Sequence, residues 1–224
     1  ISTMNDEDTL SILYNVLDRL PDAGKTEAIL LNISTMNDED TLYNLYDVLD
    51  ILPKAEQTPE ILLNISNMDK NTLSNLHDVL NKLPKAGKTQ EILTNISKMN
   101  DEDTLSILYD VLDILPDAGR KEAILLNIST MNDEDTLSIL YNVLEKLPDA
   151  GKTTDILLNI SKFNNPSLTI MNYVLEKLPD EGKTTEILLN ISNMDSFALN
   201  DLFHLLVISL PEAGKTLEIL TNIS

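Results

Sequence analysis

The dipeptide Ile-Ser returns at Ile1, Ile33, Ile65, Ile96, Ile128, Ile160 and Ile191, and opens an eighth copy at Ile223. Successive copies lie 31 or 32 residues apart. Each reads approximately I-S-x-M-N-D-E-D-T-L-x-x-L-Y-x-V-L-x-x-L-P-x-A-G-K-T-x-E-I-L-L-N. A period of this size marks a stacked array, because one such segment cannot bury its apolar face alone and needs its neighbours to do so. The repeats are 1–32, 33–64, 65–95, 96–127, 128–159, 160–190 and 191–222, forming one array. Residues 223–224 start a further copy or form a terminal stub.

Within repeat 1, Leu10, Leu13, Val16, Leu17 and Leu20 recur at the spacing of an amphipathic helix. The spacing predicts a long helix A over residues 7–20, capped by Asn5 or Asp6. Its first turn carries Glu7 and Asp8 at the positive helix end. Pro21 stops it, since the residue before proline avoids the α region. A loop through Gly24 and Lys25 leads to Thr26 as the next cap. A shorter helix B then runs from Glu27 to Ser34 or Met36 and buries Ile29, Leu30, Ile33 and Met36. Pro59 and Pro166 fall in the first turns of such helices, where a missing amide hydrogen costs little. The expected fold is all-α: a right-handed superhelical solenoid of seven two-helix repeats, a rod on the order of 60–70 Å long with neighbouring helices ~8–10 Å apart.

With 6 Tyr, 3 Phe and no Trp, the core is aliphatic. The chain has no cysteine, which excludes disulfides and thiolate chemistry. Its 37 acidic and 16 basic residues give a net charge of −21, a field that favours basic partners and repels phosphate and anionic membrane. No apolar run approaches the ~20 residues of a membrane span. Because the chain opens mid-pattern at Ile1, it reads as a fragment or processed product, and its compartment stays undetermined.

Gly-Lys-Thr recurs at Gly24, Gly87, Gly151, Gly182 and Gly214, like the end of a phosphate-binding loop. The partner glycine five residues upstream is missing, so a turn with a capping threonine is the better reading. The acidic clusters at Asp6, Asp38, Asp101 and Asp133 lack the glycine and alternating ligands of a calcium loop and read as helix caps. Only two histidines exist, and no enzyme signature, cofactor motif or metal site emerges.

Two rows are candidate partner contacts. Asn32, Asn64, Asn95, Asn127, Asn159 and Asn190 precede each Ile-Ser, with Asn222 at the last. They are glycosylation sequons by letter, but sit in a helix beside core residues, where that modification fits poorly. Such amides either bond an extended peptide lying along the array or satisfy backbone at the end of helix B and couple it to the next helix. The second row is Tyr14, Tyr46, His77, Tyr109, Tyr141 and Phe203, broken by Asn172. It is either helix–helix packing with hydroxyls at the rim or a ligand platform. A third feature is local to repeat 7, where Phe197, Val207 and Ile208 replace polar residues and one residue is added before Leu210-Pro211. That patch is expected to be covered by a neighbouring domain, a second copy or a partner.

The run Thr58-Pro59-Glu60-Ile61-Leu62-Leu63-Asn64-Ile65-Ser66-Asn67, followed by a long helix ending Leu83-Pro84, resembles the order of transcription activator-like effector repeats. In that family a short helix opens with Thr-Pro, a base-reading loop follows Ile-Ala-Ser, and a long helix ends in Leu-Pro. The resemblance implies a nucleic-acid-reading array. This chain departs from the pattern in having Asp-Glu-Asp where the family has Gly-Gly-Lys, and in holding Met36 and Asn37 nearly constant among its copies. A reader of sequence needs variation there and positive charge near the backbone. The expected function is therefore a non-enzymatic scaffold for a protein or peptide partner, a basic one favoured by charge. A structural or surface-displayed spacer is the first alternative and nucleic-acid recognition the second.

Overall fold

The computed structural model describes residues 7–209, the side chains of Ile208 and Ser209 excepted. The described residues form thirteen α-helices and no strand. Long helices A are α1 (Glu7–Arg19), α3 (Glu39–Ile51), α5 (Lys70–Lys82), α7 (Glu102–Ile114), α9 (Glu134–Lys146) and α11 (Asn165–Lys177), with a shorter α13 (Ser196–His204). Short helices B are α2 (Glu27–Thr35), α4 (Pro59–Ile65), α6 (Gln90–Ser97), α8 (Glu122–Ser129), α10 (Thr154–Ile160) and α12 (Thr185–Ser192). The chain divides into two compact halves, Ile1–Leu112 and Asp113–Ser224. In the first, α1 packs on α3 and α3 on α5, while α2 packs on α4 and α4 on α6. In the second, α9 packs on α11 and α11 on α13, while α8, α10 and α12 follow one another. Each half is thus two layers, A on A and B on B, as an all-α solenoid-like repeat requires.

The helix starts follow from side-chain caps. The amides of Thr41, Thr72, Thr104 and Thr136 donate to carboxylates of Asp38, Asp69, Asp101 and Asp133 at 2.8, 2.8, 2.9 and 2.8 Å. Asn164 and Asp195 do the same for Ser167 and Ala198. The cap stands directly before helix A in repeats of 31 and of 32 residues alike. The Thr41 and Thr104 hydroxyls also donate, at 2.6 and 2.7 Å, and hold Asp38 and Asp101 below their ordinary pKa, while for Asp69 the Thr72 amide is the main cause. Thr26, Thr58, Thr153 and Thr184 cap helices B, and Pro59 and Pro166 occupy first turns as the sequence predicts. Asn5 and Asp6 lie outside the described residues.

Between A and B the predicted loop is a short 3-10 turn, Asp22–Gly24 in repeat 1. Its glycine is set by a neighbour. A Cβ on Gly24 would lie 2.4 Å from Leu62 Cδ1 of the next repeat, and one on Gly151 2.5 Å from Leu188 Cδ1. The glycine lets the turn approach helix B of the next repeat.

Two expectations need correction. The stripe of repeat 1 is not wholly buried: Leu10 is 40% exposed and Leu30 36%, whereas Leu42 and Leu73 are 0% and Leu62 and Leu93 2%. Those positions are covered by the preceding repeat, and repeat 1 has none among the described residues. In repeat 7 helix A does not run on to its Leu-Pro as a regular helix. The added residue is taken up by a widened π turn, Leu205–Ser209. Elsewhere the aliphatic core is as the pattern requires, and no buried side-chain nitrogen or oxygen among the described residues lacks a hydrogen-bond partner.

Candidate functional site

The asparagine row lies half-buried at the ends of helices B, and its amides point to the end of the next helix B. Asn32, Asn64, Asn127 and Asn159 donate to the hydroxyls of Ser66, Ser97, Ser161 and Ser192 at 3.0, 3.0, 2.9 and 3.2 Å. Each serine in turn donates to the carbonyl three residues back, as Ser97 does to Thr94 at 2.9 Å. The row therefore couples neighbouring helices B through the serine hydroxyl, a partner the sequence reading did not name. Asn95 and Asn190 are half-buried at the same position; Asn222 lies outside the described residues.

The aromatic row also faces the neighbouring repeat. The Arg19 guanidinium stacks 5.2 Å from the Tyr46 ring centroid, donates to its hydroxyl at 3.0 Å and pairs with Asp50. Lys82 lies 5.0 Å from the Tyr109 ring centroid. Where Asn172 interrupts the aromatics, Lys146 from the equivalent place donates to Asn172 Oδ1 at 2.8 Å. Asn172 thus keeps the contact and changes its chemistry. Tyr141 donates to Glu145 on its own helix, His77 contacts Asn81, and Phe203 packs 5.8 Å from Tyr173. Tyr14, with no preceding repeat described, is 70% exposed.

Between consecutive B-to-A loops the structure leaves an open notch. Asn64, Asn67, Ser97, Lys98 and Asn100 line one of about 270 Å³ in the first half. The equivalent notch in the second half, about 480 Å³, is lined by Asn127, Thr130, Ser161, Lys162 and Asn164, with Asp133 at its edge. Both place the coupled Asn and Ser at the floor and the residue after Ile-Ser at the mouth. That residue is exposed in every described repeat: Thr35, Asn67, Lys98, Thr130, Lys162 and Asn193. The next residue is a buried methionine at Met36, Met68, Met99 and Met131, and a half-buried Phe163 or Met194 in repeats 6 and 7. The mouth position was not among the sequence candidates. Its signal is the alternation of Thr, Asn and Lys between a fixed Ser and a near-fixed Met, at a place only the fold shows to be accessible.

The remaining candidates resolve locally. Lys25 and Lys183 of the Gly-Lys-Thr turns pair with Asp22 and Asp180 of the same turns at 3.9 and 3.0 Å, and burial lowers the pKa of Lys88. Among the described residues no group of three or more His, Asp or Glu could hold a metal ion, and no helix is long and apolar enough to cross a membrane. In the repeat 7 patch, Phe197 is 81% exposed and Val207 42%. The backbone of Ile208 belongs to the π turn, and its side chain lies outside the described residues. No protein-family model matches the chain, and no curated protein is significantly similar to it.

Proposed function

We propose that the chain is a non-enzymatic scaffold that binds an extended peptide along the notches between the B-to-A loops within each half. The observation that carries this reading is the mouth position. A row of one exposed polar side chain per repeat, differing between repeats while the serine before it stays fixed, is what sequential recognition of a linear ligand needs. The asparagines and tyrosines are then the frame that spaces the row. Neighbouring helices stand ~8–10 Å apart and an extended peptide rises about 3.3 Å per residue, so roughly every third peptide residue would meet a new repeat. Carboxylates at the helix A starts, Asp133 among them, and the net charge of −21 favour a ligand with basic residues.

The test is selection of linear peptides on the intact chain after nuclease treatment. Selected peptides are expected to share a motif with a period near three residues and to lose affinity when Asn67, Lys98, Thr130 and Lys162 are all replaced by Ala. Unchanged affinity in that variant, with helicity intact, would sink the reading. A nucleic-acid ligand is the second reading, favoured by the same row because it follows Ile-Ser where the resembled effector repeats carry their base-reading loop. Oligonucleotides form a separate arm, and salt-sensitive binding to them with none to peptides would replace the first reading by the second.

A further inference from the structure

The first half satisfies one of its mouth residues internally. Lys98, the mouth residue after α6, reaches back to α4 and pairs with Glu60 at 3.0 Å. The frame beneath this pair is the bond from Asn64 to Ser97, 3.0 Å long. The second half repeats that frame twice, from Asn127 to Ser161 at 2.9 Å and from Asn159 to Ser192 at 3.2 Å. In each, the residue before the first core isoleucine of one helix B stands in register with the mouth residue of the next. Glu60 and Lys98 thus correspond to Ala123 and Lys162, and then to Asp155 and Asn193.

The two pairs of the second half are each one charge short. Lys162 is exposed, lines the notch of about 480 Å³ and pairs with no carboxylate among the described residues. Ala123, standing where Glu60 stands in the first half, has none to offer. Asp155 is exposed and pairs with no cation among the described residues. In register with it, Asn193 donates its amide to the Leu189 carbonyl at 2.9 Å and accepts from Asn159 at 3.0 Å. At the remaining pair of the first half, Ala28 and Asn67 are both neutral.

Building on the peptide reading above, we propose that the second half selects a peptide with an acidic side chain against Lys162 and a basic side chain against Asp155. The ligand completes from outside the ion pair that Lys98 and Glu60 complete from within. A chain of three residues per turn, rising about 3.1 Å per residue, brings every third side chain to one face, about 9 Å apart. That matches the ~8–10 Å between neighbouring helices, so acid and base fall about three residues apart. The stack runs from α8 through α10 to α12, so the peptide passes along it and its acid is a side chain, not a chain end. The net charge of −21 repels acids elsewhere along the surface, and Lys162 therefore fixes the register.

The experiment is selection from a random library of short peptides, acetylated and amidated so that neither end is charged, on the intact nuclease-treated chain. Selected peptides are expected to carry an acid and a base about three residues apart. Replacing that acid by its amide should weaken binding roughly twofold to fivefold, the worth of one exposed ion pair. Lys162→Glu is expected to select a base in the acid's place, and Asp155→Lys an acid in the base's place. Ala123→Glu restores the residue that Glu60 and Glu91 supply at this register, gives Lys162 an internal partner and should abolish the acid preference. All three positions are exposed, and circular dichroism checks the fold. Lys162→Met, which keeps most of the stem and drops the charge, should flatten the preference and decides the matter where a charge reversal loses helicity. Periodic peptides without the acid, or an acid preference that survives the Lys162 and Ala123 variants, overturn this inference and leave the scaffold reading standing. Selection of no peptide at all overturns both.

Discussion

The side-chain amide of Asn64 donates to the hydroxyl of Ser97, 33 residues on, at 3.0 Å. Ser97 is 2% exposed, so removing Asn64 leaves a buried hydroxyl one partner short. Asn64→Ala is expected to cost about 1 kcal/mol, and Ser97→Ala a similar amount. The double variant should cost less than their sum, with a coupling of about 0.5 kcal/mol or more. Denaturant titration of the four chains measures it, and strict additivity would show that the bond contributes nothing.

A second prediction concerns the turn glycines. Gly151→Ala sets a methyl group 2.5 Å from the Cδ1 of Leu188, which is fully buried and cannot swing into solvent. The expected loss is about 1–3 kcal/mol, the usual range for overpacking a filled site. Leu188→Val in the same chain should recover part of it. Equal stability of Gly151→Ala and the parent would mean the turn and helix α12 of the next repeat can separate locally at no cost.

Acid should loosen the helix starts. Asp38, Asp69 and Asp101 have folded pKa values below the ordinary 3.8, so the unfolded chain takes up their protons first as pH falls. The stability they contribute is fully present above their unfolded pKa and is lost as pH drops through the folded values. Thermal midpoints should therefore fall steeply below about pH 4. Asp69→Asn, which keeps an acceptor as Asn164 does naturally, should be less stable at neutral pH yet flatten that fall. An unchanged acid limb in this variant would place the loss elsewhere.

Removal of one whole repeat is the fourth prediction. Deleting residues 33–64 joins Asn32 to Ile65 in phase and should leave a folded chain with the same helicity per residue and a lower unfolding midpoint. Collapse to an unfolded chain on that deletion would contradict a stack held by nearest-neighbour contacts.

How far the molecule could be read from its letters depended on whether a residue's role lay inside one repeat or between two. Caps, prolines and the aliphatic stripe are local and periodic, so Asp38, Thr58, Pro59 and Val16 were legible. Leu10 was misread because its letter matches Leu42, while its burial depends on a neighbour that the pattern does not record. Asn64 was legible as polar and recurrent, but its partner Ser97 sits in another repeat and required coordinates. The mouth row was passed over for the opposite reason. Attention to what repeats hides a position whose information is that it differs, and only the buried Met68 beside the exposed Asn67 shows which of the two faces outward.

Repeats of 31 and 32 residues share one array because each helix A from α3 onward starts on its own capping side chain. A regular helix turns about 100° per residue, so a slip of one residue inside it would swing the apolar stripe off its neighbour. In repeat 3 the shortfall is taken before Asp69, in the loop, and Leu73, Leu76 and Val79 stay in the same phase as Leu105, Leu108 and Val111. The cap works as a reset mark: a counting error upstream is discarded at each helix start and does not accumulate along the chain. An array built this way tolerates single-residue gains and losses in its loops indefinitely, and repeat 7, whose extra residue falls after the mark, has to widen a helical turn to accept it.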